Sequence, residues 1–164
     1  MPIFSVVDID ENAFAAAYPL VRTFAPGVSA EQWSDYARKL GSEGGVLGLA
    51  GADGALFGFL SYRKGDTLRH GSVLHIDNFV TFELNHAAPG RRALCEAAET
   101  LARKQGCAAI ELRLDSRGFA DGGTARAQGW LNLGHRLDAV VFTKMLEVAI
   151  EADQAVYVLS AAEG

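Results

Sequence analysis

The 164-residue chain is poor in cysteine and proline and holds no concentration of positive charge. Its two cysteines, Cys95 and Cys107, match no zinc or redox spacing and sit in apolar surroundings. They read as buried free thiols rather than a disulfide, and no metal site is expected. Fifteen Lys and Arg against twenty Asp and Glu leave a formal net charge of -5. No basic run rises from that background, which argues against nucleic acid as a partner. No apolar stretch exceeds the length of a strand, so no membrane partner or span is expected. "MPIFSVVDIDENAF" carries acids where a secretory signal needs positive charge, and the expected location is the cytoplasm. The chain lacks internal repeats, low-complexity segments, an interdomain linker, a Walker loop and a Ser-His-Asp arrangement with a nucleophile elbow.

What is present is a core. The hydrophobic fraction is 49%, enough for one packed domain of this length. "IFSVVDI" reads as a first strand, and "DENAFAAAYPLVRTF" as a helix interrupted or ended near Pro19. "SAEQWSDYARKLG" is the best-signalled helix: Ser29 caps it, Gln32 follows three residues later, and Gly41 closes it. "GVLGLAGADGALFGFLSYR" reads as a hairpin around Gly-Ala-Asp-Gly, and "SVLHIDNFVTF" as a long strand. A helix follows with Leu94, Ala97, Ala98 and Leu101 on one face. "CAAIELRL" alternates as a half-buried strand does, "DSRGFADGGTARAQGW" is a weak helix, and "HRLDAVVFTKML" is a further strand. The order predicts one α/β (α+β) domain with a mixed sheet.

The helix that begins at Pro89 starts badly. Proline suits the first helical position, but Ala88 before it has no side chain to cap the first N–H groups. Arg91 and Arg92 carry the wrong sign for the positive end of the helix dipole. An anion bound there answers both defects. A solvated helix end with two surface arginines answers them as well.

"IDNFVTFE", a tight loop ending in Gly-Arg-Arg, a helix closed by "KQGC", the strand "CAAIELRLDS" and the later "AQGW" together resemble the coenzyme-A-binding core of the GNAT superfamily of N-acetyltransferases. In element order the resemblance spans Met1 to about Leu146. It implies a GNAT-like, mixed but mostly antiparallel central sheet flanked by helices, over residues 1–146. It also implies a strand through Asp77, Phe79, Val80 and Thr81 that splays from its neighbour, with the backbone of Phe79 and Thr81 pairing with the pantetheine arm of acetyl-CoA. The loop at Ala87–Arg92, with Ala88, Gly90, Arg91 and Arg92, would hold the pyrophosphate on backbone N–H groups. Two departures stand out. Of the loop glycines only Gly90 survives, with Asn85, His86 and Ala88 at the other family positions, and Pro89 removes an N–H. The family's tyrosine, four residues before a Gly-Phe pair, falls on Ala125 before Gly129-Trp130.

Asp77 is the candidate catalytic residue, as a base acting directly or through water on a substrate ammonium; ordering the strand or binding the cation are the other readings. His75 shares its face by the period of two. His135 and Asp138 can form a pair. Tyr62 is read as packing, and Trp33 and Phe24 lie in the helical region that borders the acceptor in the family. The function expected is transfer of an acetyl group from acetyl-CoA, as cosubstrate, to an amine of a small molecule or peptide. The alternative is a non-catalytic protein of this fold that binds an acyl-CoA, another ligand or a partner chain. Residues 147–164 form an extension in which Ala155–Ser160 has strand character, added to its own sheet or exchanged with a second subunit in a homodimer; a loose tail with a chance apolar run is the other reading.

Overall fold

The computed structural model describes residues 4–82, 88–116, 119 and 124–146. The expectations for Asn85, His86, Ala87 and the 147–164 extension fall outside these residues.

The chain begins with β1 (Phe4–Asp8), and the Asp10 carboxylate then accepts from the N–H groups of Asn12 and Ala13 to start a helical turn. That turn leads into α1 (Phe14–Phe24), which buries Phe14, Ala17 and Val21 along one stripe. Pro19 neither ends nor interrupts α1, contrary to the expectation. It removes only a bond to the Ala15 carbonyl, and both residues face solvent, where water can replace the donor. α2 (Ala30–Lys39) starts as its sequence demands. The Gln32 N–H donates to Ser29 Oγ at 3.1 Å, and the Ser29 N–H donates to Gln32 Oε1 at 2.8 Å. Gly41 leaves the helix at φ +67°, a conformation that favours glycine.

β2 (Gly44–Gly51) and β3 (Leu56–Thr67) form the hairpin, and β4 (Gly71–Thr81) returns antiparallel to β3. α3 (Pro89–Lys104) carries the chain across to β5 (Ala109–Leu112), which lies parallel to β4. α4 (Thr124–Leu131) follows. The sheet order is β1-β2-β3-β4-β5, with only the last pair parallel. That pair needs a crossover, which α3 supplies.

Both faces are covered. α1 and α2 pack on Val46, Phe59 and Val80, with Trp33 at the centre. α3 packs with Leu94, Ala98 and Ala102 on Leu47, Leu49, Leu60, Leu74 and Ile76. Double burial explains why β2 reads as a continuous apolar run rather than an alternating one. One expected strand is missing: residues 135–146 join no sheet. Their composition is that of a strand, but no described edge pairs with them.

Candidate functional site

The site begins where two parallel strands part. β4 and β5 pair from Val73 and Ala109 to Ile76 and Leu112, and the Arg113 N–H still donates to the Ile76 carbonyl at 2.9 Å. Beyond that point β4 continues to Thr81 on the β3 side alone. Among the described residues, nothing pairs with its other edge at Phe79, Val80 and Thr81. These three residues line a cleft of about 400 Å³. Thr23 and Phe24 close it from the end of α1, Arg91 from the first turn of α3, and Arg126 and Trp130 from α4.

Trp130 joins the three elements. Its ring meets Phe79 edge-on with centroids 5.1 Å apart, and the Arg91 guanidinium lies over it at 5.2 Å. Gly129 makes room for that arginine: a Cβ there would stand 2.8 Å from Arg91 Nη1. Gly129-Trp130 is thus the seat of the Arg91 side chain. Arg91 and Gly90 both make further interactions.

Ala88 is the N-cap of α3 and makes no side-chain capping bond. Its backbone is left-handed at φ +43°, the one described non-glycine residue with positive φ. An L-residue with a Cβ is strained there by about 1–2 kcal/mol. Gly90 is buried, whereas Arg92 is exposed and lies off the cleft lining.

Asp77 occupies a β-bulge. Ser61 pairs with Asn78 and Tyr62 with Ile76, so Asp77 has no residue opposite it. Bulges re-aim side chains beside functional clefts. The Asp77 carboxylate accepts from Arg63 Nε at 2.8 Å and stands 3.5 Å from Arg113 Nη1. It is not part of the cleft lining. His75 stays near Arg63 and pairs across to Glu111 on β5 at 3.2 Å.

A polar cluster that the sequence did not reveal lies just past the bulge. Ser61 is fully buried; its hydroxyl is 2.9 Å from Tyr36 Oη and accepts from Asn78 Nδ2 at 2.8 Å. Asn78 Nδ2 also donates to Tyr36 Oη at 2.9 Å. The triangle pins α2 to β3 and β4 where the cleft begins. No sequence spacing links residues 36, 61 and 78; a polar Ser within "FGFLSYR" is the only hint.

The remaining candidates separate. Phe24 borders the cleft, while Trp33 is core, with its indole N–H donating to the Phe14 carbonyl at 2.8 Å. Tyr62 is buried under α3. Burial pushes the Cys95 thiol up to about 11, so it is an inert free thiol. His135 and Asp138 do not pair. His135 meets the Trp130 ring edge-on, and its burial lowers its imidazole below the ordinary value against the pull of Glu99. Asp138 instead binds His70 at 2.8 Å and Arg69 at 3.2 Å; the His70 hydrogen bond, helped by Arg69, lowers its carboxyl. Ala125 is exposed on α4, and no described tyrosine lines the cleft. No metal-binding group of His, Cys, Asp and Glu occurs among the described residues, and no described helix is long and apolar enough to cross a membrane.

No protein-family model and no curated protein matches the sequence. Solved structures do. An aminoglycoside N-acetyltransferase in complex with CoA aligns over 87% of this chain and 94% of its own at TM-score 0.70 and 12% identity. Glucosamine-6-phosphate N-acetyltransferase from Arabidopsis thaliana aligns over 88% and 99% at TM-score 0.66 and 12% identity. Ribosomal-protein-alanine N-acetyltransferase from Brucella melitensis aligns over 87% and 99% at TM-score 0.67 and 12% identity. With β4 and β5 parting beside an open cleft, the chain has the fold of the GNAT N-acetyltransferases.

Proposed function

We propose that this chain moves an acetyl group from acetyl-CoA to an amine of a small molecule or peptide. One observation carries the reading: the open edge of β4 at Phe79–Thr81, beside a cleft that Arg91 lines at the start of α3. An open strand edge binds an extended, amide-bearing arm as it would bind another strand. The pantetheine arm is such a group, and Phe79, Trp130 and Phe24 give its methylenes apolar walls. Ala88, Gly90, Arg91 and Arg92 stand at the helix end, where positive dipole and guanidinium groups favour phosphate.

In the reaction the neutral amine nitrogen bonds to the thioester carbon, the carbon–sulfur bond breaks, and the nitrogen gives up one proton to solvent as the thiolate takes one up. The acceptor must first lose its ammonium proton. Asp77 sits at the point where the strands part and takes that proton through water, while Arg63 and Arg113 hold the carboxylate in place. Ala125 offers no phenol to the departing thiolate, so that proton comes from solvent. A positioned acid is worth about 10²–10⁴-fold, and turnover should be slow by roughly that factor.

Ala125 and the strained Ala88 favour a second reading, a non-catalytic acyl-CoA-binding protein. Calorimetric titration with acetyl-CoA and a thiol-release assay over a panel of amines separate the two. Binding with CoA release supports transfer, binding alone supports the second reading, and no binding at millimolar acetyl-CoA removes both. Asp77→Asn keeps the shape and removes the base. It should lower kcat by about 10²–10⁴-fold with little change in melting temperature. A lowered melting temperature with normal kcat would make Asp77 an ordering residue only.

A further inference from the structure

Ile76 and Leu112 are the last partners before β4 and β5 part, and both have their side chains on the α3 side of the sheet. Both line a second cavity, a groove of about 270 Å³ between β5 and α3. Ile110 continues its β5 wall, and Cys95, Ala98 and Ala102 form its α3 wall. Leu133, Gly134 and His135, in the turn after α4, close it from the third side. The mouth of the groove is therefore the point at which the strands separate.

Phe79 joins this groove to the cleft. Its side chain lines both spaces, so they are neighbours across one aromatic ring. The polar groups at the groove have partners of their own. Glu99 and Arg103 pair with each other at 2.9 Å on the exposed side of α3, and the His135 ring meets Trp130 edge-on. The rest of the wall is apolar. The volume of about 270 Å³ is small beside the roughly 300–1,000 Å³ of a pocket that takes a whole drug-sized ligand. Cys95 and Ala102 lie two helical turns apart, about 10 Å along the axis of α3. A narrow apolar groove of that length fits a short hydrocarbon chain.

We propose that this groove takes the acyl chain of the donor thioester, so that the protein uses acyl-CoA donors with chains longer than acetyl. The inference rests on the reading of the cleft as a coenzyme A site and adds which acyl groups that site accepts. The pantetheine arm lies along Phe79–Thr81, its thioester sits where β4 and β5 part, and the chain runs past Phe79 between Leu112 and Cys95. The bonds that change are those of acetyl transfer. Nitrogen bonds to the carbonyl carbon, the carbon–sulfur bond breaks, the nitrogen loses a proton and the thiolate gains one. The chain beyond the carbonyl takes no part. Apolar walls favour length, at about fourfold in affinity for each methylene taken out of water. Hexanoyl-CoA, four methylenes longer than acetyl-CoA, should bind on the order of 10²-fold more tightly.

Calorimetric titration of the full chain with CoA, acetyl-CoA and hexanoyl-CoA reads that difference. Leu112→Phe adds bulk at the mouth of the groove, at a position outside the cleft lining. It should leave the affinity for CoA unchanged and remove the gain from the hexanoyl chain. CoA carries no acyl group, so its binding also shows that the variant is folded. Ile110→Phe fills the groove further from the mouth and gives the same test if Leu112→Phe does not fold. Equal affinity of the unsubstituted protein for acetyl-CoA and hexanoyl-CoA overturns the proposal and leaves the coenzyme A site in place. A hexanoyl gain that survives the substitutions also overturns it, since the chain would then lie elsewhere. Failure of CoA itself to bind the unsubstituted protein removes the reading of the cleft, and this proposal with it.

Discussion

Ala88 shows how one methyl group can act on both stability and binding. Its φ of +43° is comfortable for glycine and strained for alanine. Ala88→Gly removes the strain but loosens the unfolded chain, an opposing effect of about 0.4–1 kcal/mol. A net gain of about 0.5–1 kcal/mol should raise the melting temperature by roughly 1–4 °C. Acetyl-CoA should also bind more tightly, because glycine lets the backbone approach a phosphate closely. Calorimetry on the two proteins checks both. His135 makes a pH prediction. Burial holds its imidazole below the ordinary 6.5, so the folded chain resists protonation that the unfolded chain accepts. Its contribution to stability is complete above pH 6.5 and is lost as pH falls from there toward the lowered folded value. His135→Gln should flatten the fall of melting temperature in that window. Asp138 acts in the same direction in a separate window, as pH falls below its ordinary 3.8. Scanning melting temperature against pH resolves the two.

At the scale of elements, the cleft depends on three pieces meeting at Trp130: β4 through Phe79, α3 through Arg91, and α4 through its own ring and Gly129. Replacing Arg91 and Arg92 together by Ala should weaken acetyl-CoA binding and flatten its salt dependence, since screening acts on those charges. Unchanged affinity in a titration against salt would take the phosphates away from the start of α3. The elements also differ in how far the sequence revealed them. α2 was legible because its capping box lies within four residues. The start of α3 at Pro89 was legible because proline is favoured at the first helical position. The continuity of α1 through Pro19 was not, because it depends on which face of the helix meets solvent.

On the scale of the whole molecule, the sheet ends in two edge strands, β1 and β5, each paired on one side only among the described residues, while residues 137–146 expose six large apolar side chains. Truncation after Glu147 tests the extension: an unchanged mass in solution and an unchanged melting temperature would mean that it holds nothing together. If Ala155–Ser160 adds a further strand, the melting temperature should drop by roughly 2–4 °C for each kcal/mol lost. A homodimer built by that extension should melt at a temperature that rises with concentration, as linked association requires.

The sequence by itself determined what depends on neighbours a few residues apart: the capped helix, the Gly-Ala-Asp-Gly hairpin, the alternation in β5, and the order that makes a mixed, mostly antiparallel sheet. Phe79, Val80, Thr81 and Arg91 were named together only through the family resemblance, and they line one cleft. Only the tertiary structure decided that Asp77 sits in a bulge between two arginines, that Arg91 rests on Trp130, and that Tyr36, Ser61 and Asn78 form one cluster. Each of these joins residues from different elements. A bulge depends on the register of the facing strand, and a stacked cation on a space left by a distant glycine; local propensity records neither. Residues 135–146 are the same case at larger scale: their composition called for a strand, but among the described residues no edge pairs with them.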